Sequence, residues 1–194
     1  MHIVRRVLHY EYPKYRTHLK ALDPEGKHLR FGFQVKDETI DALCDGIEAD
    51  KENHILFCVE DTSLKFIGVG HVALGKDMDL ALSVLKEHRK QGMGGALIER
   101  CIQYCRTHNI LKGKMLCLSH NTAIKNLCAR HNIIMSSEHG ETQGEIRLPN
   151  PDLTAYINEQ VAVQQDMVDF IIKRNPINLT NKLLSNTISY HTRL

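Results

Sequence analysis

Apolar positions along the chain recur in two rhythms. Steps of three and four residues between Ile40, Leu43, Cys44 and Ile47 predict a helix over Lys36 to Ile47. Bulky residues at the same spacing predict another from Tyr12 to Leu22, closed by the turn Asp23-Pro24-Glu25-Gly26. The strongest amphipathic stretch runs from Gly92 to His108, with Leu97, Ile98, Cys101, Ile102 and Cys105 on one face. Shorter apolar runs read as strands: Ile3 to Leu8, His54 to Val59, Lys65 to Leu74 and Leu80 to Leu85. The separators Glu60-Asp61-Thr62-Ser63 and Gly75-Lys76-Asp77 are short and polar, which suits an antiparallel meander. A strand over Lys114 to Leu118, a helix over Asn121 to His131 and a strand pair, Ile133 to Ser137 with Gly144 to Leu148, complete the pattern.

Pro149-Asn150-Pro151 marks a boundary, because neither proline can donate to a ladder. Beyond it Leu153, Ile157, Val161, Gln164, Val168 and Ile171 keep helical spacing and predict one long helix over Asp152 to Lys173, stopped at Asn175-Pro176. That helix either folds back over the domain or forms a homodimer contact. The expected division is a main domain over residues 1–149 and a helical extension with a weakly patterned tail over 150–194.

Composition changes this picture only at its edges. A chain of 194 residues with 25% charged and 42% hydrophobic residues has the balance of one globular domain with room for an extension. The formal net charge of +2 argues against nucleic acid as the main partner. No run approaches the roughly 18 apolar residues of a membrane span. The N-terminus has Arg5 and Arg6 but no apolar core of a secretory signal, so a cytoplasmic location is expected. The six cysteines then read as reduced thiols. Cys101 and Cys105 fall on an apolar stripe as small hydrophobes, and nothing lies at zinc-ligand spacing, so no metal is expected. The twelve histidines are scattered and form no HxxxH group.

Three glycine patterns compete for chemistry. Gly70 to Asp77 nearly matches the phosphate loop GxxxxGK[ST], but Asp77 replaces the hydroxyl residue and no helix follows. Gly68-Val69-Gly70-His71-Val72-Ala73 imitates the dinucleotide fingerprint, yet β-favouring residues continue where a helix must start. A strand with two small residues under a closely approaching segment explains both. The third pattern, Arg89-Lys90-Gln91-Gly92-Met93-Gly94-Gly95-Ala96, opens the strongest helix in the chain. Its glycines let backbone approach a ligand, its first N–H groups lack intrahelical partners, and Arg89 and Lys90 add positive charge. An anion such as a diphosphate suits that environment.

This stretch resembles the acetyl-CoA pyrophosphate loop of the GNAT acyltransferase superfamily, whose motif [RQ]xxGx[GA] matches Arg89, Gly92 and Gly94. A strand precedes the loop, a strand at Met115 to Leu118 follows the long helix, and Asn121 then opens a further helix, as in the family. Leu29-Arg30-Phe31-Gly32, with Asp45-Gly46-Ile47, is similar to a bacterial subgroup that opens with an LRFG element. The resemblance covers roughly Ile3 to Pro149. It implies an α/β fold with a central mixed, largely antiparallel twisted sheet, splayed at the acetyl-CoA site, flanked by helices and followed here by the C-terminal helix.

The resemblance also implies chemistry: an acetyl group passes from acetyl-CoA to a primary amine, on a small molecule or a protein, by direct attack in a ternary complex. Ser83, Val84 and Leu85 would hold the pantetheine arm through their backbone, as an added strand. The N–H groups of Gln91, Gly92, Met93, Gly94, Gly95 and Ala96 would hold the diphosphate, beside Arg89 and Lys90. Asn121 matches a family residue on the pantetheine side. An amine with a solution pKa near ~10 must lose a proton to attack. The family's glutamate base falls on Asp79. The tyrosine acid of many relatives falls on Cys128, with His120 as a further proton carrier. The missing tyrosine keeps a second reading open, a catalytically silent acetyl-CoA sensor or interaction module of the same fold. The family's Gly-Phe after this helix is Asn132-Ile133 here.

Overall fold

In the computed structural model, residues 2–131, 133–138 and 141–174 are described, with backbone alone at 137, 138, 141 and 142. The order is β1 (Arg5–Arg6), α1 (Tyr12–Lys20), α2 (Pro24–Phe31), α3 (Asp37–Ala49), β2 (His54–Glu60), β3 (Phe66–Ala73), β4 (Met78–Val84), α4 (Met93–Thr107), β5 (Lys112–Leu118), α5 (Thr122–Arg130), β6 (Ile134–Glu138), β7 (Glu141–Arg147) and α6 (Leu153–Arg174). The strands form one seven-stranded sheet in the order β1-β2-β3-β4-β5-β7-β6. All neighbours are antiparallel except β4 and β5, which run parallel. The expected fold class and the β2-β3-β4 meander are therefore present.

Two expectations change. The first strand shrinks from Ile3–Leu8 to Arg5–Arg6, because the Arg5 side chain turns inward onto Glu11 and Glu60 and the chain coils at His9–Glu11. The turn Asp23-Pro24-Glu25-Gly26 is instead the start of α2. The Asp23 carboxylate accepts from the Gly26 N–H and Pro24 occupies the first helical position, which is a helix start rather than a stop. The expected stop at Asn175-Pro176 and the tail lie outside the described residues, as does Asn132.

The core sits on both faces of the sheet. α4 packs across β2, β3 and β4, with Leu97, Ile98, Cys101 and Cys105 fully buried. Gly70 makes this contact: a Cβ there would lie 2.7 Å from Cys101 Sγ, so the close approach read from the sequence is real. α1, with α3 behind it, covers β3 on the opposite face, and α2 covers β4 and β5. α6 lies against α4 and β1. It docks by charge: Arg100 Nη1 meets Glu159 Oε2 at 2.7 Å, and Arg174 Nη2 meets Glu11 and Glu60 at 2.7 and 2.8 Å. Burial alone would raise the Glu60 carboxyl, yet hydrogen bonds from Arg5 and Arg174 hold it down to about 2.

Candidate active site

The parallel pair β4–β5 is joined only at Met78 with Gly113 and Asp79 with Lys114. β4 continues to Val84 and β5 to Leu118 without further pairing, so the sheet opens into a wedge beyond Asp79. β4 keeps an unbroken register with β3, from Ala73 opposite Asp79 to Gly68 opposite Val84. The Leu85 N–H donates to Ile67 O at 2.9 Å. Peptide groups in an antiparallel ladder alternate in direction, so those of Ser83 and Leu85 face β3 while those of Leu80, Leu82 and Val84 face the wedge. Of Ser83, Val84 and Leu85, only Val84 can present backbone hydrogen bonds there. Leu82, which sequence reasoning missed, joins it, as does the Leu80 carbonyl, whereas the Leu80 N–H is taken up by the parallel pairing at Asp79 and Lys114. The signal lay in strand parity, which cannot be assigned until the partner on one side is known.

Side chains alternate the other way. The Ser83 hydroxyl is buried at 2.9 Å from His18 Nε2, whose Nδ1 lies 2.9 Å from Phe66 O. Burial depresses the His18 imidazole to about 4, so it stands neutral beneath the wedge.

The loop after β4 carries Lys90 at φ +60° and Gly92 at φ +84°. Gly92 is the residue before α4, and no side chain caps this end. The N–H groups of Met93, Gly94 and Gly95 are the first in the helix and have no carbonyl a turn behind them, whereas the Ala96 N–H already donates to Gly92 O. This uncapped, glycine-lined helix start suits an anion. Arg89 is turned away from it. Its guanidinium bonds Asp23, Nε donates to Val84 O at 3.2 Å, and Nη1 lies 3.4 Å from Glu25. Arg89 therefore ties the loop to α2 rather than offering free charge, and its bond to Val84 O engages one wedge-facing carbonyl. The N-terminal segment holds the loop too, with His2 Nε2 2.7 Å from Gln91 O.

A cleft of about 290 Å³ opens beside the wedge, lined by Leu29 to Gly32, Asp79 to Ala81, Lys114 and Leu116 to Leu118. Asp79 is 56% exposed in its side chain, and its carboxylate lies 3.6 Å from Lys114 Nζ. Deeper between the strands, Leu82, Met115, Asn121 and Ile124 line a smaller recess. Asn121 caps α5 by accepting from the Ile124 N–H at 3.2 Å, which fixes it at the mouth of that recess. His120 stacks on His28, centroids 6.0 Å apart.

Cys128 does not join this group. It is 0% exposed, packed with its sulfur 3.9 Å from Met115 Sδ, and burial pushes its thiol up to about 11. About two helical turns below the cap, its position faces the core rather than either cleft. Cys117 lines both clefts instead, and burial raises its thiol as well.

Among the described residues no group of three or more His, Cys, Asp or Glu is placed to hold a metal, and no helix is long and apolar enough to cross a membrane.

Residues 19–132 match the model of the acetyltransferase (GNAT) family. Solved structures share the fold at low identity. The GNAT domain of PAT from S. lividans is 15% identical with a TM-score of 0.60, over 75% of this chain and 89% of that one. An acetyltransferase of the GNAT family from Streptococcus pneumoniae is 14% identical with a TM-score of 0.59, over 77% and 100%. A PaiA N-acetyltransferase from Thermoplasma acidophilum, solved in complex with coenzyme A, is 9% identical with a TM-score of 0.54, over 74% and 97%.

Proposed function

The chain belongs to the acetyltransferase (GNAT) family, and on that premise we propose that it moves an acetyl group from acetyl-CoA to a primary amine by direct attack. One observation carries the reading: the wedge between β4 and β5 lies beside an uncapped helix start, so strand-like hydrogen bonding and anion binding are available side by side. Acetyl-CoA supplies an activated acyl group on a thiol that leaves readily. The open peptide groups of Leu82, with the Leu80 carbonyl and the Val84 N–H, would take its pantetheine arm as an added strand. The N–H groups of Met93, Gly94 and Gly95 would hold its diphosphate, with Gln91, Gly92 and Ala96 shaping the cradle. Lys90 is the cation near it whose charge is not spent on α2. Asn121 would close the pantetheine side.

Asp79 would accept the amine proton, directly or through a water, because it is the only carboxylate lining the cleft among the described residues. Lys114, beside it, would hold the carboxylate in place. Since Cys128 is buried, no proton reaches the leaving thiolate from that position, and solvent would supply it. The acceptor enters over α2, where Leu29-Arg30-Phe31-Gly32 lines the cleft and supports the likeness to the LRFG-type subgroup. The acceptor is a small-molecule or protein amine. The catalytic unit is residues 1–149, with 150–194 appended, and the C-terminal helix is its route to a homodimer.

Calorimetry with acetyl-CoA tests the cradle. Gly94→Glu places a carboxylate where the diphosphate belongs and crowds Leu127, since even a Cβ there lies 3.0 Å from Leu127 Cδ1. Affinity should fall by more than about a hundredfold. An unchanged affinity would remove the loop from the site. Asp79→Asn should retain acetyl-CoA affinity while turnover over an amine panel drops by roughly 10²-fold or more. The burial of Cys128 favours a second reading, a silent acetyl-CoA sensor. Tight binding with no turnover of any amine by the unmodified chain would select it.

A further inference from the structure

The C-terminal helix is turned inside out for a helix that ends at solvent. Its charged residues Glu159, Asp166, Asp169, Lys173 and Arg174 all engage ion pairs, and all but the Asp169–Lys173 pair reach across to the main domain. Ala155, one turn before Glu159, is buried on the same side. The opposite face carries Leu153 at 76%, Ile157 at 54%, Met167 at 63% and Ile171 at 54% exposure. Burying acids costs several kcal/mol apiece unless they are paired, whereas exposing a stripe of aliphatic residues forfeits the helix's main source of stability. An arrangement that does both is stable when the outer face is covered as well.

The outer face has a mirror centre. At equal distances on either side of Ala162 stand Gln160 and Gln164, then Ile157 and Met167, then Leu153 and Ile171. The flanks follow the same rule, with Val161 facing Val163 across the centre and Tyr156 matched to Val168. Steps of three and four from Leu153 to Ile171 form a continuous seam of knob positions. A second helix laid antiparallel over the first, with the two-fold axis at Ala162, sets each residue against its mirror partner. Apolar residues then meet apolar residues throughout. The one polar layer sets each Gln160 against the other copy's Gln164, and an amide can both donate to and accept from another amide. A different protein would have no reason to match this symmetry, but an isologous contact requires it.

The area is sufficient. From Leu153 to Ile171 the axis is about 27 Å, and half the girth of a helix about 13 Å across at its accessible surface is about 20 Å. Covering that stripe removes roughly 550 Å² per copy and about 1,100 Å² in the pair, above the ~1,000 Å² expected of a specific interface.

We propose that α6 is the dimer interface of this protein, an antiparallel two-fold helix pair centred on Ala162, with Gln160 against Gln164 fixing the register. This interface lies on the side of α4 away from the β4–β5 wedge, and it does not depend on the acetyl-transfer reading.

Sedimentation velocity of the full chain at about 50 µM should show a dimer. Ile157→Lys and Met167→Glu lie on the exposed face, away from the domain contacts. Each alone should raise the dimer dissociation constant by at least about a hundredfold, with circular dichroism and acetyl-CoA affinity unchanged. Mixing the two variants should restore a dimer, because the introduced lysine of one chain then meets the introduced glutamate of the other, while the second Ile157 and Met167 layer remains apolar. Crosslinking adds a register test: Gln160→Cys and Gln164→Cys chains should form a disulfide when mixed and none when separate. The native cysteines are all buried and contribute no background. A monomeric unmodified chain would overturn the proposal and leave residues 175–194 or another partner to cover the face. A dimer that survives Ile157→Lys, or a mixture that stays monomeric, would overturn it too.

Discussion

Lowering the pH tests the packing beneath the wedge through one histidine. His18 is 1% exposed, with Nδ1 on Phe66 O and Nε2 on the Ser83 hydroxyl. A carbonyl only accepts, so Nδ1 carries the proton and the Ser83 hydroxyl donates to Nε2. Charging the ring means burying a cation, with Arg30 and Lys65 adding repulsion, and its pKa falls from 6.5 to about 4. The unfolded chain binds a proton here near pH 6.5 and the folded chain only near pH 4. Stability is therefore full above about pH 6.5, falls as the pH drops, and levels off below about pH 4. At about 1.4 kcal/mol per unit, the whole shift is worth about 3 kcal/mol, of which about 2 kcal/mol is lost by pH 5.

Urea unfolding between about pH 7.5 and 5.0 measures this slope. The window stops above the range where Glu60, whose folded pKa is held to about 2, begins to lose its own contribution. His71, depressed to about 3, adds to the slope of the unmodified protein, so the comparison must be with a variant. His18→Gln keeps a donor and an acceptor but cannot titrate. It should start about 1–2 kcal/mol less stable at about pH 7.5 and lose about 2 kcal/mol less on going to about pH 5. Identical slopes in the two proteins would refute a buried neutral His18.

Two other substitutions probe single contacts. Cys128→Ala should cost about 1–2 kcal/mol of stability by opening a small void beside Met115, with turnover kept within about twofold, and a tenfold loss in folded protein would restore this thiol as the acid. Arg100→Met strips the partner from Glu159 and Asp166 under α6 and should destabilise by about 3–5 kcal/mol in chemical denaturation, while a change below ~1 kcal/mol would show that charge does not dock this helix.

Much of the candidate site's geometry was legible because its signals are local. The loop from Arg89 to Ala96 follows from glycines at a helix start, and a helix start exposes N–H groups wherever it stands in space. Asn121 as a cap, the meander and the close packing at Gly70 are likewise encoded within a few residues of one another. Asp23 was misread because an Asp-Pro pair opens a helix as readily as it closes one, and only the bond from Gly26 N–H to its carboxylate decides. Charge on Arg89 was also misread. Asp23 and Glu25 lie more than sixty residues earlier, and nothing in the local pattern reveals that they neutralise it.

By itself the sequence determined most of the elements, their order and the family, α2 being the helix it read as a turn, since periodicity, glycine placement and capping act over a turn or a strand. It even contained the mirror pattern about Ala162, though not which side of that helix the pattern would occupy. Tertiary structure decided what depends on partners distant in the chain: which peptide groups of β4 stay open, that Cys128 packs into the core, that His18 is held neutral under Ser83. It also decided that α6 turns its acids inward to Arg100 and its aliphatic face outward. Hydrophobic spacing names the apolar face of a helix, but the side it turns to the domain follows from what that domain offers, and here the offer is a buried Arg100 for its acids and buried Glu11 and Glu60 for Arg174.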